Sequence, residues 1–161
     1  MAHSRKPKQD TPQASLRARA LRLLARREHS RLELERKLAP HAQDPGELGS
    51  LLEDLARQGW LSEQRVVEQV IYARRGKFGS RRIRQELRDK GVAEELVAEA
   101  LPQLKESEIE AAREVWRRKF GAPPRNKVEQ ARQVRFMQGR GFALETIVKI
   151  IKSGGAGDDS A

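Results

Sequence analysis

The stretch Gly59–Val92, GWLSEQRVVEQVIYARRGKFGSRRIRQELRDKGV, holds one complete helix, a tight turn and a second complete helix. Ser62 is placed to cap the first helix, and Glu63 follows in its first turn, where the helix dipole favours an acid. Val66, Val67, Val70 and Ile71 draw one narrow apolar stripe at helical spacing, which is a core face. From Arg74 to Arg84 come Arg74, Arg75, Lys77, Arg81, Arg82 and Arg84 with no acid among them, interrupted by Gly76, Phe78 and Gly79, where the chain must turn. Ser80 is read as the cap of the second helix; Ile83 and Leu87 face its core, and Gly91 ends it.

The pattern extends in both directions. Upstream, a helix begins at Ala14 with Ala18, Leu21, Ala25 and His29 as its face. A second follows Ser30, carries Leu34 and Leu38, and stops near Pro40. Asp44 and Pro45 suit the cap and first position of a third, whose face is Leu48, Leu51, Leu52 and Leu55 and whose end is Gly59. Shifted by 49 residues, Ala18, Leu21, Ala25 and His29 fall on Val67, Val70, Arg74 and Phe78. Leu34 and Leu38 fall on Ile83 and Leu87, and Leu48, Leu52 and Leu55 on Val97, Leu101 and Leu104. This is an internal three-helix repeat of about 45 residues per unit, carried by apolar position rather than residue identity.

Downstream, Ser107 and Glu108 echo Ser62 and Glu63 as a helix start, and Ile109, Ala112, Trp116 and Phe120 repeat the spacing. Gly121–Pro124 breaks the chain, a helix runs from about Asn126 to Gln138, and a last one uses Leu144, Ile147, Ile150 and Ile151. The expected fold is all-α: three tandem three-helix repeats, nine helices, stacked as an elongated, curved helical-repeat protein. Its parts are a disordered arm over 1–13, repeats over 14–61, 62–106 and 107–152, and a flexible Gly-rich tail over 153–161. His29 stands where an apolar residue is expected, so the first repeat has the shallowest core.

Charged residues make up 35% of the 161 and aromatics 4%, thin material for one large core but enough for several small ones. The formal net charge of +10 belongs to the helical middle, because the excess base of residues 1–13 and the excess acid of 153–161 cancel. It is segregated: +5 over Ser62–Val92, −5 over Ala93–Ala112 and +7 over Arg113–Arg140. Absence of cysteine excludes disulfides and thiolate chemistry and fits a reducing cytosol. No apolar run approaches the roughly 18 residues that cross a bilayer, and no apolar segment follows the N-terminal basic residues, so a secretory signal is not read. The expectation is a cytoplasmic monomer without a cofactor and without a membrane partner.

Catalytic constellations are missing from the sequence. His3, His29 and His41 have no metal or triad spacing, and Gly76 and Gly79 lack the strand a phosphate loop follows. The reading is therefore non-enzymatic, and the chemistry left is cationic. To the first basic group a second adds Arg117, Arg118, Lys119, Arg132, Arg135 and Arg140. For a single arginine the plainer account is a solvated helix face paired with acids such as Glu86 or Asp89. The run from Arg74 to Arg84 resists that account, having no acid within it. Trp60, Phe78, Trp116, Phe120 and Phe142 are read as closing small cores. Tyr72 lies off its helix's stripe and is the one aromatic suited to surface contact, packing between repeats being the more economical use. The acidic helix is read as separating the two basic groups.

Four motifs add a resemblance: L-S-E at Leu61–Glu63, K-F-G-S-R-R-I at Lys77–Ile83, E-L-x-x-K-G-V at Glu86–Val92, and R-F-M-Q-G-R-G-F at Arg135–Phe142. In this order they resemble the RecX family of bacterial regulators of the RecA recombinase, over about residues 14–152. The resemblance implies the three-repeat fold and binding to the RecA nucleoprotein filament, along its helical groove and across neighbouring subunits. It also implies lowered ATP hydrolysis, strand exchange and coprotease cleavage, and so a place in DNA repair, recombination and the SOS response. It supplies no catalytic residues. Two other classes fit the residues alone: a helical-repeat protein binding single- or double-stranded DNA directly, and a helix-turn-helix regulator, which the long, variable turns disfavour.

Overall fold

The computed structural model describes residues 12–155, with side chains from Leu16 onward. Eight α-helices and one short 3-10 turn make up the described residues, with no strand among them. The protein is all-α and is built from three-helix sets, each closing its own small core.

The first compact unit, up to Glu63, holds α1 (Pro12–Arg26), α2 (Arg31–Leu38), the 3-10 turn Ala39–His41 and α3 (Pro45–Arg57). Ser30 and Glu33 form a reciprocal capping box at the start of α2, and Asp44 caps α3 with Pro45 in its first position. Leu16, Ala20, Leu34, Leu38, Leu48, Leu52, Leu55 and Leu61 form the core. Each fully buried leucine contributes about 1.5–3 kcal/mol. The expected face of α1 is rotated: Ala18 and Ala25 are exposed, while Leu16 and Ala20 are buried. Leu16, Ala20 and Leu24 continue at i, i+4 and i+8, so the 49-residue register that aligned Ala18 with Val67 is off by one here. Two residues of the expected arm, Pro12 and Gln13, already belong to α1, and the rest of it lies outside the described residues.

His29 is buried in this unit. Its Nδ1 lies 3.0 Å from the Arg27 carbonyl and its Nε2 lies 3.3 Å from Lys37 Nζ. A lysine can only donate, so Nε2 accepts and Nδ1–H donates, which is the neutral imidazole. Burial holds the ring below the usual histidine pKa of 6.5, and the charges of Arg27 and Lys37 add to this against the Arg27 carbonyl. The unfolded chain takes up a proton there that the folded chain refuses. Stability is therefore full above 6.5 and falls as pH drops toward the lower folded-state value. Urea unfolding at about pH 7.5 and about pH 5.5 is expected to show a drop in midpoint that His29→Phe reduces, since phenylalanine cannot titrate.

The second compact unit, from Gln64, contains two three-helix sets. It comprises α4 (Glu63–Arg74), α5 (Ser80–Asp89), α6 (Glu94–Lys119), α7 (Lys127–Gly139) and α8 (Leu144–Lys152). Val66, Val67, Val70, Ile71, Ile83, Leu87, Val92, Val97, Ala100 and Leu104 form one core. Ala111, Ala112, Trp116, Met137, Phe142, Ile147 and Ile150 form the other. The count is eight helices rather than nine because α6 runs unbroken through both sets for 26 residues. Ser107 was expected to start a helix; its hydroxyl instead bonds back to the Gln103 and Leu104 carbonyls, as a serine inside a helix does. No glycine lies between Glu94 and Lys119, and although Pro102 removes one backbone N–H donor inside α6, the helix continues through it. Past α8, Gly155 is buried against Trp116, so the expected tail is packed there, while 156–161 lie outside the described residues.

Candidate functional site

The start of α5 has an unusual cap. Ser80 is its first residue rather than its cap, and Gly79, in the cap position, offers no side chain. Two tertiary groups do the work instead. The α7–α8 turn lays its backbone against the α4–α5 turn: Gly79 N–H donates to the Arg140 carbonyl at 2.8 Å, and Arg81 N–H to the Gly141 carbonyl at 3.2 Å. Such orphan N–H groups need partners at any helix start. From α6, the buried Glu108 carboxylate accepts from Ser80 Oγ at 3.1 Å and from Ala143 N–H, at the cap of α8, at 3.2 Å. One carboxylate thus sits at two helix N-termini, where negative charge is favoured. Backbone approach this close leaves no room for side chains: a Cβ on Gly79 would meet the Gly141 carbonyl oxygen at 2.3 Å.

This clasp brings parts of the two basic groups together. Phe78 carries Arg82 over its ring at 4.4 Å, Arg140 at 5.3 Å and Arg74 at 5.7 Å. Arg140 also lies 5.3 Å from the Phe136 ring, which holds Lys119 at 5.1 Å and meets Phe120 edge-on at 5.5 Å. Cations and rings alternate from Arg74 to Lys119, each contact adding about 0.5–1 kcal/mol at exposed sites. The acidic stretch does not separate the groups, contrary to the sequence reading. It lies along α6, against which α5 packs, and its Glu108 sits where the two turns meet.

The remaining candidates divide. Lys77 and Arg118 line a cleft with Lys119 and Arg140. Arg74 also pairs with Glu86 at 3.1 Å and Arg118 with Glu114 at 2.8 Å, exposed pairs worth little in stability. Arg75 lies 5.4 Å over the Tyr72 ring. Tyr72 is 76% exposed, so it is not used for packing between repeats. Arg81 is exposed on α5, and Arg132 and Arg135 are exposed on α7 outside the cation–ring ladder. Arg84 is partly buried, with its Nε enclosed and unpartnered, and Arg117 donates to the Gly155 carbonyl. Sequence reasoning passed over Phe136 and took Glu108 for a helix start. The Phe136–Arg140 spacing of four was the available signal for the first; nothing local marks the second. Among the described residues, no group of histidines and carboxylates is placed to hold a metal ion, and no helix is long and apolar enough to cross a membrane.

Comparison with known proteins places this arrangement. Residues 62–101 match the profile of the RecX second three-helix domain, and residues 106–151 that of the third. A Regulatory protein RecX of Leptothrix cholodnii is 50% identical over 141 residues, covering 88% of this chain and 90% of the relative. The chain belongs to the RecX family. The Regulatory protein RecX of Ralstonia nicotianae is 45% identical over 142 residues, 88% of this chain and 89% of its own. The crystal structure of RecX from Lactobacillus salivarius, 16% identical, superposes with a TM-score of 0.73 over 88% of this chain and 96% of that one, which speaks for the fold alone. In RecX terms, the clasp joins the second and third domains, and α6 is the helix they share.

Proposed function

We propose that this protein is a non-enzymatic regulator that binds the RecA nucleoprotein filament and lowers its ATP hydrolysis, strand exchange and coprotease activity. What carries the reading is family membership over most of the chain, with relatives named as regulatory proteins. The joined basic surface supports it. Arg75, Lys77 and Arg81 are exposed around the α4–α5 turn, and Arg74, Arg82 and Arg140 gather around the Phe78 ring. A surface of ordered cations steers association with a polyanionic assembly and gives up little entropy on contact. Tandem domains add the second requirement, several modest contacts acting together. The protein acts in the cytoplasm as a monomer, with the filament as its partner and the repeats as separate contact modules.

The test is single-strand-dependent ATP hydrolysis by the cognate RecA, measured while the protein is titrated in. Inhibition is expected well below one protein per RecA subunit. Arg75→Gln, Lys77→Gln and Arg81→Gln combined spare the Phe78 stack. This variant is expected to need about tenfold more protein for half inhibition, three solvent-screened charges being worth up to ~1 kcal/mol each. A wild-type protein that leaves hydrolysis untouched overturns the reading.

A further inference from the structure

A cleft of about 330 Å³ opens between the α4–α5 turn, the end of α6 and the end of α7. Three elements each send a cation to it: Lys77 from the turn, Lys119 from α6 and Arg140 from α7. Arg118 and Glu114 also line it, and they pair with each other at 2.8 Å, leaving the cleft with three net positive charges. Two of the three cations are oriented in advance. The Arg140 guanidinium lies 5.3 Å from both Phe78 and Phe136, and Lys119 Nζ lies 5.1 Å from Phe136.

Resting on the regulator reading, we propose that this cleft binds a phosphodiester of a nucleic-acid single strand, with Tyr72 as the stacking surface for a base. The chemistry favours phosphate over carboxylate. A planar carboxylate is satisfied by the fork of one arginine, whereas phosphate oxygens point in several directions and suit cations arriving from separate elements. The volume falls at the small end of ligand-sized sites, roughly 300–1,000 Å³, enough for a phosphate and its sugar. Tyr72 speaks for a nucleic acid rather than an acidic peptide. It is 76% exposed on α4, five residues before Lys77, with the Arg75 guanidinium 5.4 Å from its ring. An aromatic ring kept in solvent beside arginines is what a nucleic-acid strand uses and a polycarboxylate does not, since only the former brings π faces with its charges.

Anisotropy of a fluorescent oligothymidylate, titrated with the full chain across a range of salt, tests this. Wild type is expected to bind with log affinity falling linearly in log salt. Lys77→Gln with Lys119→Gln strips two of the three cations from that one phosphodiester, and the slope is expected to become shallower by up to about 0.7. Tyr72→Ala is expected to weaken binding about tenfold with the slope unchanged. Lys105→Gln, on the acidic part of α6, is expected to match wild type in both. An unchanged slope in the double lysine variant overturns the cleft assignment, and unchanged affinity in Tyr72→Ala overturns the single strand as occupant. Polyglutamate that displaces the oligonucleotide at equal charge, and loses this ability in the lysine variant, overturns it in favour of an acidic protein segment. Inhibition of RecA hydrolysis by wild type is read separately, so the regulator reading stands or falls without the cleft.

Discussion

Gly141→Ala is expected to cost the second unit about 3–5 kcal/mol. Gly141 has φ +88°, a left-handed conformation that costs a non-glycine residue about 1–2 kcal/mol. Sterics add the rest. Its Cβ would lie 2.4 Å from the Arg82 Cβ and 2.6 Å from the Arg82 backbone nitrogen, atoms fixed in the first turn of α5 that cannot swing aside. Relief requires the α7–α8 turn to back away from α5, which breaks the bonds from Gly79 and Arg81, each worth about 0.5–1.5 kcal/mol. Gly139→Ala is the natural control, since no atom lies within 4 Å of its added Cβ and it sits at the end of α7. Alanine there is expected to stabilise the protein by up to about 1 kcal/mol. Urea unfolding followed by circular dichroism reads both. Amide exchange of Gly79 and Arg81 should accelerate in Gly141→Ala alone. On the proposed regulator reading the same variant should also weaken inhibition of RecA hydrolysis, because Arg82 and Arg140 share Phe78 only while the turns are in contact.

What was legible in the sequence follows from the range of the forces involved. Helices with strong apolar stripes and local caps could be read directly: Asp44–Pro45 opens α3, Asn126 caps α7, and Val66, Val67, Val70 and Ile71 are buried as a face of α4. Features decided by distant groups could not. Ser80 has the residue type of a cap, but Gly79 holds the cap position, the Arg81 N–H goes to the Gly141 carbonyl, and the Ser80 hydroxyl turns to Glu108. Ser107-Glu108 repeats the letters of Ser62-Glu63, yet α6 runs on through it, past Pro102, and repetition of letters is not repetition of structure. In α1 the leucines at 16, 21, 23 and 24 offer more than one stripe, and only packing against α2 and α3 selects Leu16 and Ala20. The basic residues were visible as charge. That Phe78 and Phe136 hold Arg82, Arg140 and Lys119 in one cluster depends on two turns 62 residues apart meeting, Gly79 to Gly141.

Glu108→Ala is the second large loss, expected at about 3 kcal/mol, the low end for two hydrogen bonds to a charged group at about 1.5–3 kcal/mol each. The cost of stranding partners is unequal. Ser80 Oγ can rotate toward another acceptor, whereas the Ala143 N–H is fixed at the start of α8 and points at the space the carboxylate leaves. Glutamine separates charge from hydrogen bonding at the same position. In Glu108→Gln the amide oxygen can accept from Ala143 N–H while the amide nitrogen donates to Ser80 Oγ, which as a hydroxyl accepts as readily as it donates. Both contacts survive with their polarity adjusted, and what disappears is the negative charge at two helix N-termini, worth about 0.3–1 kcal/mol at each. Glu108→Gln is therefore expected to recover more than half of the loss seen in Glu108→Ala, read as urea midpoints on the full chain. Equal losses in the two variants would mean that the carboxylate acts through charge alone. Since Glu108 is the side chain on α6 that joins the starts of α5 and α8, the alanine variant should also speed exchange of the Arg81 and Ala143 amides together, as one opening rather than two.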